Sequence, residues 1–223
     1  MKLTIVHQIS GLYAITPDEA DTDLLLAKVE AALQGGVSIL QYRNKQAKHR
    51  LQVQQAQVIL ALCRQYNVPL IINDSVKLCL MLDADGVHLG ADDGKLSDVR
   101  EILGADKILG ASCYNRFDLA LTAQQAGASY VAFGACFASA TKPNAPVAPL
   151  SLFEQARERL QVPAVAIGGI TLENADQAIQ ASADAIAVVG ALFNLEEKVS
   201  LGSEANLSVQ EIARQFSRFF DVC

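Results

Sequence analysis

Several polar clusters in this chain of 223 residues follow directly on short apolar runs, and the chemistry they offer is that of holding anions. Gln41, Arg43 and Lys45 recur at every second position, which places an amide, a guanidinium and an ammonium on one face of an extended segment. Such a trio suits a polyanion, because the guanidinium forks onto two oxygens and the ammonium adds a compact charge. Ser139, Thr141 and Lys142, inside the small-residue stretch from Gly134 to Pro143, add two hydroxyl donors and a further cation. Asn73 and Asp74 follow Leu70-Ile71-Ile72, and His88, Asp92 and Asp93 follow the next apolar run. Asp74 and Asp93 opposite those cations would suit a magnesium ion, Mg²⁺, bound to a polyphosphate. Mg²⁺ takes only one or two protein carboxylates and completes its shell with water and phosphate oxygens.

Each of these residues also has a plainer reading. Asp74 could N-cap a helix beginning near Ser75 or Val76, and Asp92 or Asp93 could cap the helix after it. His88 lies between Val87 and Leu89 and reads at least as readily as a hydrogen-bonded inner histidine. Ser112 and Cys113 have no base partner visible in the sequence, so Ser112 suits a donor role better than a nucleophilic one. Gly168, Gly169 and the Val189-Gly190 pair could free backbone N–H groups for an oxyanion, and the two adjacent glycines could equally make a tight turn. No Cys/His spacing supports a structural zinc site.

Eight short apolar runs carry these clusters: Leu12 to Ile15, Val37 to Tyr42, Leu70 to Ile72, Asp85 to Leu89, Lys107 to Ser112, Ser129 to Phe133, Pro163 to Ile167 and Ala185 to Val189. Helical patterns alternate with them, at Asp23 to Gln34, Lys48 to Tyr66, Val76 to Leu82, Leu96 to Leu103, Arg116 to Ala126, Leu150 to Leu160 and Leu172 to Ala181. A short helix is expected after Gly190, a polar loop from Asn194 to Asn206, and a last long helix from Ser208 to Phe220. Strands this apolar are buried on both faces, as in a parallel sheet with right-handed crossovers. The expected fold is therefore α/β, a single-domain (β/α)8 TIM barrel over residues 1–223. An open doubly wound sheet is the rival. It is disfavoured because the first strand lacks a G-x-G-x-x-G turn and the acidic residue a ribose would need. In a barrel the active site gathers at the C-terminal ends of the strands, where these polar residues stand.

With 51% hydrophobic and 19% charged residues, the chain can bury a large core. A net charge of −6 argues against nucleic-acid and membrane-surface partners while allowing a local basic pocket. The five cysteines form no CxxC and are odd in number, which favours free thiols in a reducing compartment. The N-terminus lacks the apolar core of a signal peptide and no run has the length of a membrane span, so a cytoplasmic location is expected.

Seven segments taken together resemble the thiamine phosphate synthase family. They are Leu12-Tyr-Ala-Ile-Thr16, Gln41-Tyr-Arg-Asn-Lys45, Ile72-Asn-Asp74, Asp85-Gly-Val-His-Leu-Gly90, Leu109-Gly-Ala-Ser112, Thr141-Lys-Pro143 and Ala166-Ile-Gly-Gly-Ile170. The likeness runs from residue 11 to about residue 193. It implies a (β/α)8 barrel and a transferase that joins a pyrimidine diphosphate to a thiazole phosphate, releasing pyrophosphate and giving thiamine phosphate. It further implies Mg²⁺ on Asp74 and Asp93, and Gln41, Arg43, Lys45 and Asn73 on the pyrimidine diphosphate. Ser112 and Lys142 would serve the pyrophosphate side. Ser139, Thr141, Gly169 and the backbone at Val189-Gly190 would take the thiazole phosphate.

The chain departs from the family pattern at Pro17 where the family has Asp, Ala91 for Gln, Ala138 for Pro and Gly190 for Ser. A thiazole tautomerase shares the barrel without making the C–N bond, and it would not need the whole pyrophosphate and metal set. A catalytically silent phosphate-binding relative should tolerate losing the metal ligands, which are present here. The sequence leaves the oligomeric state open.

Overall fold

Apolar residues at every position of a strand require two cores, one on each face, and the chain builds both. In the computed structural model, which describes residues 9–138, 147–194 and 208–221, β1 (Gly11–Ile15) is buried throughout. Leu12 and Ala14 pack outward against the helices, while Tyr13 and Ile15 point into the barrel. The same split runs through β2 (Ile39–Tyr42), β3 (Leu70–Asn73), β4 (Gly86–Leu89), β5 (Ile108–Tyr114), β6 (Tyr130–Phe133), β7 (Ala164–Ile167) and β8 (Ala185–Val188). All eight pair in parallel, and Gly11 to Ala14 of β1 register against Ala185 to Val188 of β8. That last pairing closes the barrel and removes the open-sheet alternative.

The outer ring is α1 (Thr22–Gln34), α2 (His49–Tyr66), α3 (Val76–Leu82), α4 (Leu96–Leu103), α5 (Phe117–Gln125), α6 (Ser151–Arg159), α7 (Ala175–Gln180), α8 (Gly190–Phe193) and α9 (Val209–Arg218). No helix among the described residues is long and apolar enough to cross a membrane. At the base of the barrel, the carboxylates of Asp85 and Asp184 accept the N–H groups of Leu70 and Ala164 at 2.8 and 2.7 Å, fastening the starts of β3 and β7.

Two local departures from the sequence expectation have identifiable causes. β5 runs two residues past Ser112, with a register shift against β6 between Ser112 and Tyr114 and a left-handed Tyr114 at φ +53°. α7 begins at Ala175 rather than Leu172, because the Asn174 side chain accepts from the Thr171 N–H at 2.8 Å and donates to the Gly169 carbonyl at 2.9 Å. Those two bonds hold the preceding residues in a turn. α8 is the short helix expected after Gly190, and α9 packs beside it against α1 and β1.

The seat of α9 is tight. A Cβ on Gly35 would lie 2.4 Å from Ala213 Cβ, and Ser217 Oγ donates to the Gly36 carbonyl at 2.9 Å. Ser208 and Glu211 form a reciprocal capping box at its N-terminus. Ser208→Ala is expected to cost about 1 kcal/mol, read as a small drop in melting temperature with activity unchanged.

Candidate active site

The C-terminal rim of the barrel holds two separate polar constructions, one charged and half-exposed, the other neutral and buried. The charged one begins with Asp74, immediately after β3. Ser75, not Asp74, caps α3, its hydroxyl accepting the Leu78 N–H at 3.2 Å. Asp74 is instead held in a left-handed turn, φ +61°, with its N–H donating to the His88 carbonyl at 2.9 Å. A non-glycine residue in that region costs of order 1 kcal/mol and persists where its surroundings over-determine it. The turn brings Asp74 Oδ2 to 3.1 Å from Lys45 Nζ.

Asp93 completes this corner. Neither Asp92 nor Asp93 caps α4, whose cap position is Lys95. Asp93 Oδ2 accepts the Gly90 N–H at 2.7 Å, and its carboxyl also meets that of Asp74. Burial, followed by the charge and contact of Asp74, holds the Asp93 carboxyl above its usual range, against the opposing pull of the Gly90 N–H and Lys45. Two carboxylates pressed together beside one ammonium favour an added cation, and an all-oxygen donor pair fits Mg²⁺. No cluster of three or more His, Cys, Asp or Glu exists among the described residues, so a protein-only cage for a softer metal is not formed there.

The strand ladder ends at Tyr42, and the alternation outlasts it by two residues: Tyr42 Oη and Asn44 Nδ2 both donate to Gln55 Oε1 of α2, at 2.9 and 3.0 Å, which leaves Gln41, Arg43 and Lys45 on the opposite side. Gln41 points inward and is buried. Arg43 Nη1 lies 3.4 Å from the Asp18 carboxylate, whose Oδ1 also accepts the Lys45 N–H at 2.6 Å. Thr16 Oγ1 accepts the Arg43 N–H at 2.9 Å and donates to its carbonyl at 2.8 Å. Thus the loop after β1 clasps the loop after β2. Asp18 supplies a carboxylate to that clasp one place beyond Pro17. Asn73 is the last residue of β3, in register with His88 on β4.

The neutral construction crosses the barrel interior. Gln41 Nε2 donates to Tyr13 Oη at 2.8 Å, Tyr13 Oη lies 2.7 Å from Tyr130 Oη, and Tyr130 Oη lies 2.9 Å from His88 Nδ1. His88 Nε2 reaches Ser112 Oγ, also at 2.9 Å. Burial draws the His88 pKa down to about 4, with the Asp74 charge acting in the opposite sense, so the imidazole is neutral near pH 7. His88 is therefore the hydrogen-bonded inner histidine. Tyr13 and Tyr130 were not singled out from the sequence, where they stand as hydrophobic members of apolar strands. The period-2 alternation, which turns both inward, is the signal that could have found them.

Beyond β6 the chain crosses to the loop after β7. Cys136 and Phe137 donate to the carbonyls of Ile167 and Gly168 at 2.9 and 3.0 Å. Gly169 has φ +68°, and a Cβ there would sit 2.4 Å from the Phe137 carbonyl oxygen. Glycine is required at this crossing. The last strand stops at Val188, one residue short of the expected end, and Val189 stands at the cap position of α8, which Gly190 opens. Ser139, Thr141 and Lys142 lie outside the described residues, as does the expected polar loop beyond Asn194. Burial raises the Cys113 thiol to about 12 and that of Cys136 to about 11, which leaves neither as a thiolate at neutral pH.

A family model described as thiamine monophosphate synthase matches residues 12–192. The thiamine-phosphate synthase of Methylobacillus flagellatus is 54% identical over 213 residues, covering 96% of each chain. That of Aromatoleum aromaticum is 54% identical over 187 residues, covering 84% of this chain and 90% of the relative. Among solved structures, a thiamine phosphate pyrophosphorylase from Pyrococcus furiosus superposes with a TM-score of 0.81 at 29% identity, over 97% of this chain and 98% of that one. The match spans every strand from Leu12 onward, and the chain belongs to the thiamine monophosphate synthase family.

Proposed function

We propose that the chain, as one catalytic domain, is a thiamine-phosphate synthase. It joins 4-amino-2-methyl-5-pyrimidinylmethyl diphosphate to 4-methyl-5-(2-phosphooxyethyl)thiazole and releases pyrophosphate, or to the carboxylated thiazole with loss of carbon dioxide as well. The observation that carries this reading is the corner of Lys45, Asp74 and Asp93, in which paired carboxylates and a cation stand at adjacent strand ends. It is supported by the 54% identity to a named synthase along nearly the whole chain.

In this reaction the C–O bond between the pyrimidine methylene and the diphosphate breaks, and its electron pair leaves with the diphosphate. The thiazole nitrogen lone pair then forms the new C–N bond. The protein's task is to stabilise the departing anion and to place the acceptor, with little acid-base chemistry. Arg43, Lys45 and Lys142 supply positive charge to the diphosphate, Ser112 a hydroxyl, and Gln41 and Asn73 amides to the pyrimidine diphosphate. Arg43 would exchange its contact with Asp18 for that role. Ser139, Thr141, Gly169 and the backbone at Val189 and Gly190 bind the thiazole phosphate. Asp74 and Asp93 would hold Mg²⁺, which when bound contributes Lewis-acid charge stabilisation to the leaving diphosphate. The substrates are small molecules, with no nucleic acid or membrane involved, and the setting is cytoplasmic.

The test is to mix both precursors with the protein, with and without Mg²⁺, and to assay thiamine phosphate. Product that depends on Mg²⁺ is expected, and its absence at saturating precursors overturns the reading. Lys142→Ala is expected to lower turnover by about 100- to 1,000-fold, the scale of removing one preorganised charge contact. A variant altered only in melting temperature would make this lysine structural.

A further inference from the structure

Five side chains from five different strands join across the barrel interior, and the protons available to them give the chain a direction. Gln41 Nε2 can only donate, so Tyr13 Oη accepts from it at 2.8 Å. The proton of Tyr13 must then go to its other partner, Tyr130 Oη, at 2.7 Å. Tyr130 in turn passes its own proton to His88 Nδ1 at 2.9 Å. A ring nitrogen that accepts carries no proton, so Nε2 carries it and donates to Ser112 Oγ at 2.9 Å. The hydroxyl proton of Ser112 is left outside the chain, free to be donated elsewhere.

Reversing the chain fails at its far end as long as Gln41 presents its amide N–H to Tyr13. A proton on Nδ1 would push the Tyr130 proton onto Tyr13, and the Tyr13 proton would then face the N–H of Gln41. An imidazolium fails at the same place, since it too carries a proton on Nδ1. In the reversed order Ser112 would also give its proton to His88 and offer an incoming anion only lone pairs.

We propose that Tyr13, Tyr130 and His88 are positioning residues that hold Ser112 as a hydrogen-bond donor to the substrate diphosphate, with His88 fixed as the Nε2–H tautomer. This rests on the reading of Ser112 as a diphosphate contact, and it adds the residues that set the sense of that contact. A donor whose proton is aimed before substrate arrives needs no reorganisation as negative charge develops, which is where such donors gain their effect. Tyr13 and Tyr130 suit the task because both rings are fully buried and meet edge to face at 5.9 Å, and because His88 stacks on Tyr130 at 5.5 Å. None of the three rings can turn without disturbing the others.

The experiment uses the full chain with ¹⁵N-labelled histidine, assigned by loss of the His88 signals in His88→Gln. Ligand-free wild type is expected to show His88 as the Nε2–H tautomer alone. An Nδ1–H tautomer or an imidazolium at neutral pH overturns the proposal. In Tyr130→Phe the directing proton is lost, so both tautomers should appear. Turnover should fall about tenfold, less than the 100- to 1,000-fold of losing an oxyanion donor outright, while KM for the thiazole phosphate stays unchanged. In a Ser112→Ala background the same substitution should have no further effect on turnover.

A purely structural role predicts a lower melting temperature with the tautomer and the turnover of folded protein intact, and that result also overturns the proposal. Should Tyr130→Phe fail to fold, Tyr13→Phe breaks the chain one bond further back and carries the same expectations. The tautomer is read without substrate. A wild type that shows the Nε2–H form but makes no thiamine phosphate therefore removes the proposed reaction, while a wild type that is active with the wrong tautomer removes only the positioning chain.

Discussion

Asp74→Asn is expected to lower Mg²⁺-dependent formation of thiamine phosphate by about 100- to 1,000-fold, the cost of one preorganised electrostatic contact, and to leave the barrel folded. Asparagine is one of the few residues that accept the left-handed backbone Asp74 adopts at φ +61°. Its side chain keeps the shape and an acceptor oxygen but loses the charge. The lost pair with Lys45 is half-exposed, with the two side chains 56% and 33% accessible. Pairs of that kind contribute about 1 kcal/mol or less, so the melting temperature should move by no more than a few degrees.

What the substitution removes is one of two carboxylates that now crowd each other. Asp93, relieved of the neighbouring charge, should ionise more readily than it does beside Asp74. Activity titrated against Mg²⁺ checks the idea: the variant should need a far higher concentration for whatever turnover remains. Wild-type turnover at the wild-type Mg²⁺ requirement would remove Asp74 from the metal site.

Gly110→Ala is expected to overpack the barrel interior and to lower stability and turnover together. Gly110 lies on β5, and a Cβ there would fall 2.2 Å from Tyr130 Cζ, 2.3 Å from Tyr130 Oη and 2.5 Å from His88 Nδ1. None of these atoms is the loose end of a flexible side chain. Tyr130 is fully buried and bonded to Tyr13, and His88 is bonded on both ring nitrogens. Overpacking of a filled core costs about 3 kcal/mol at the upper end of the usual range. For a chain of this length that lowers the melting temperature by roughly 6–12 °C.

Turnover should fall along with stability, because either ring must swing away and release Ser112. Thermal unfolding and turnover at a temperature where the variant is still folded separate the two effects. An alanine variant with wild-type melting and turnover would show that the interior can rearrange around the added carbon.

The barrel was legible in the sequence because its strands are short, wholly apolar and evenly interleaved with amphipathic helices, and few folds bury every strand on both faces. The expected position of the candidate site followed from that, since a parallel barrel puts every C-terminal strand end on one rim. Directions of individual side chains were less legible. Tyr42 and Asn44 both turn to Gln55, as the alternation requires, but the resting partners of the intervening cations, Asp18 for Arg43 and Asp74 for Lys45, could not be read from spacing. Whether Asp74 or Ser75 caps α3 depends on a left-handed turn that no spacing rule encodes.

Least legible was the interior chain from Gln41 to Ser112. A tyrosine in an apolar run reads as one more hydrophobic residue, and only strand register decides which hydroxyls meet. Its five members come from positions 13 to 130, so no local window contains more than a fragment of it.

The seam between β1 and β8, with α9 laid across α1, also sets a clock for synthesis. Ser217 bonds to Gly36 across 181 positions of sequence, so the partners that cover the first strand and first helix are made last. At about 5–20 residues per second, a ribosome spends roughly ten to forty seconds between the two ends of that seam. Throughout that interval the β8-facing edge of β1 and the end of α1 at Gly35 and Gly36 lack their final partners. The nascent chain thus carries an unpaired strand edge for most of its translation, the kind of surface on which chaperones act. A codon change that slows synthesis between residues 40 and 185 would lengthen that exposure without altering a single contact in the finished barrel.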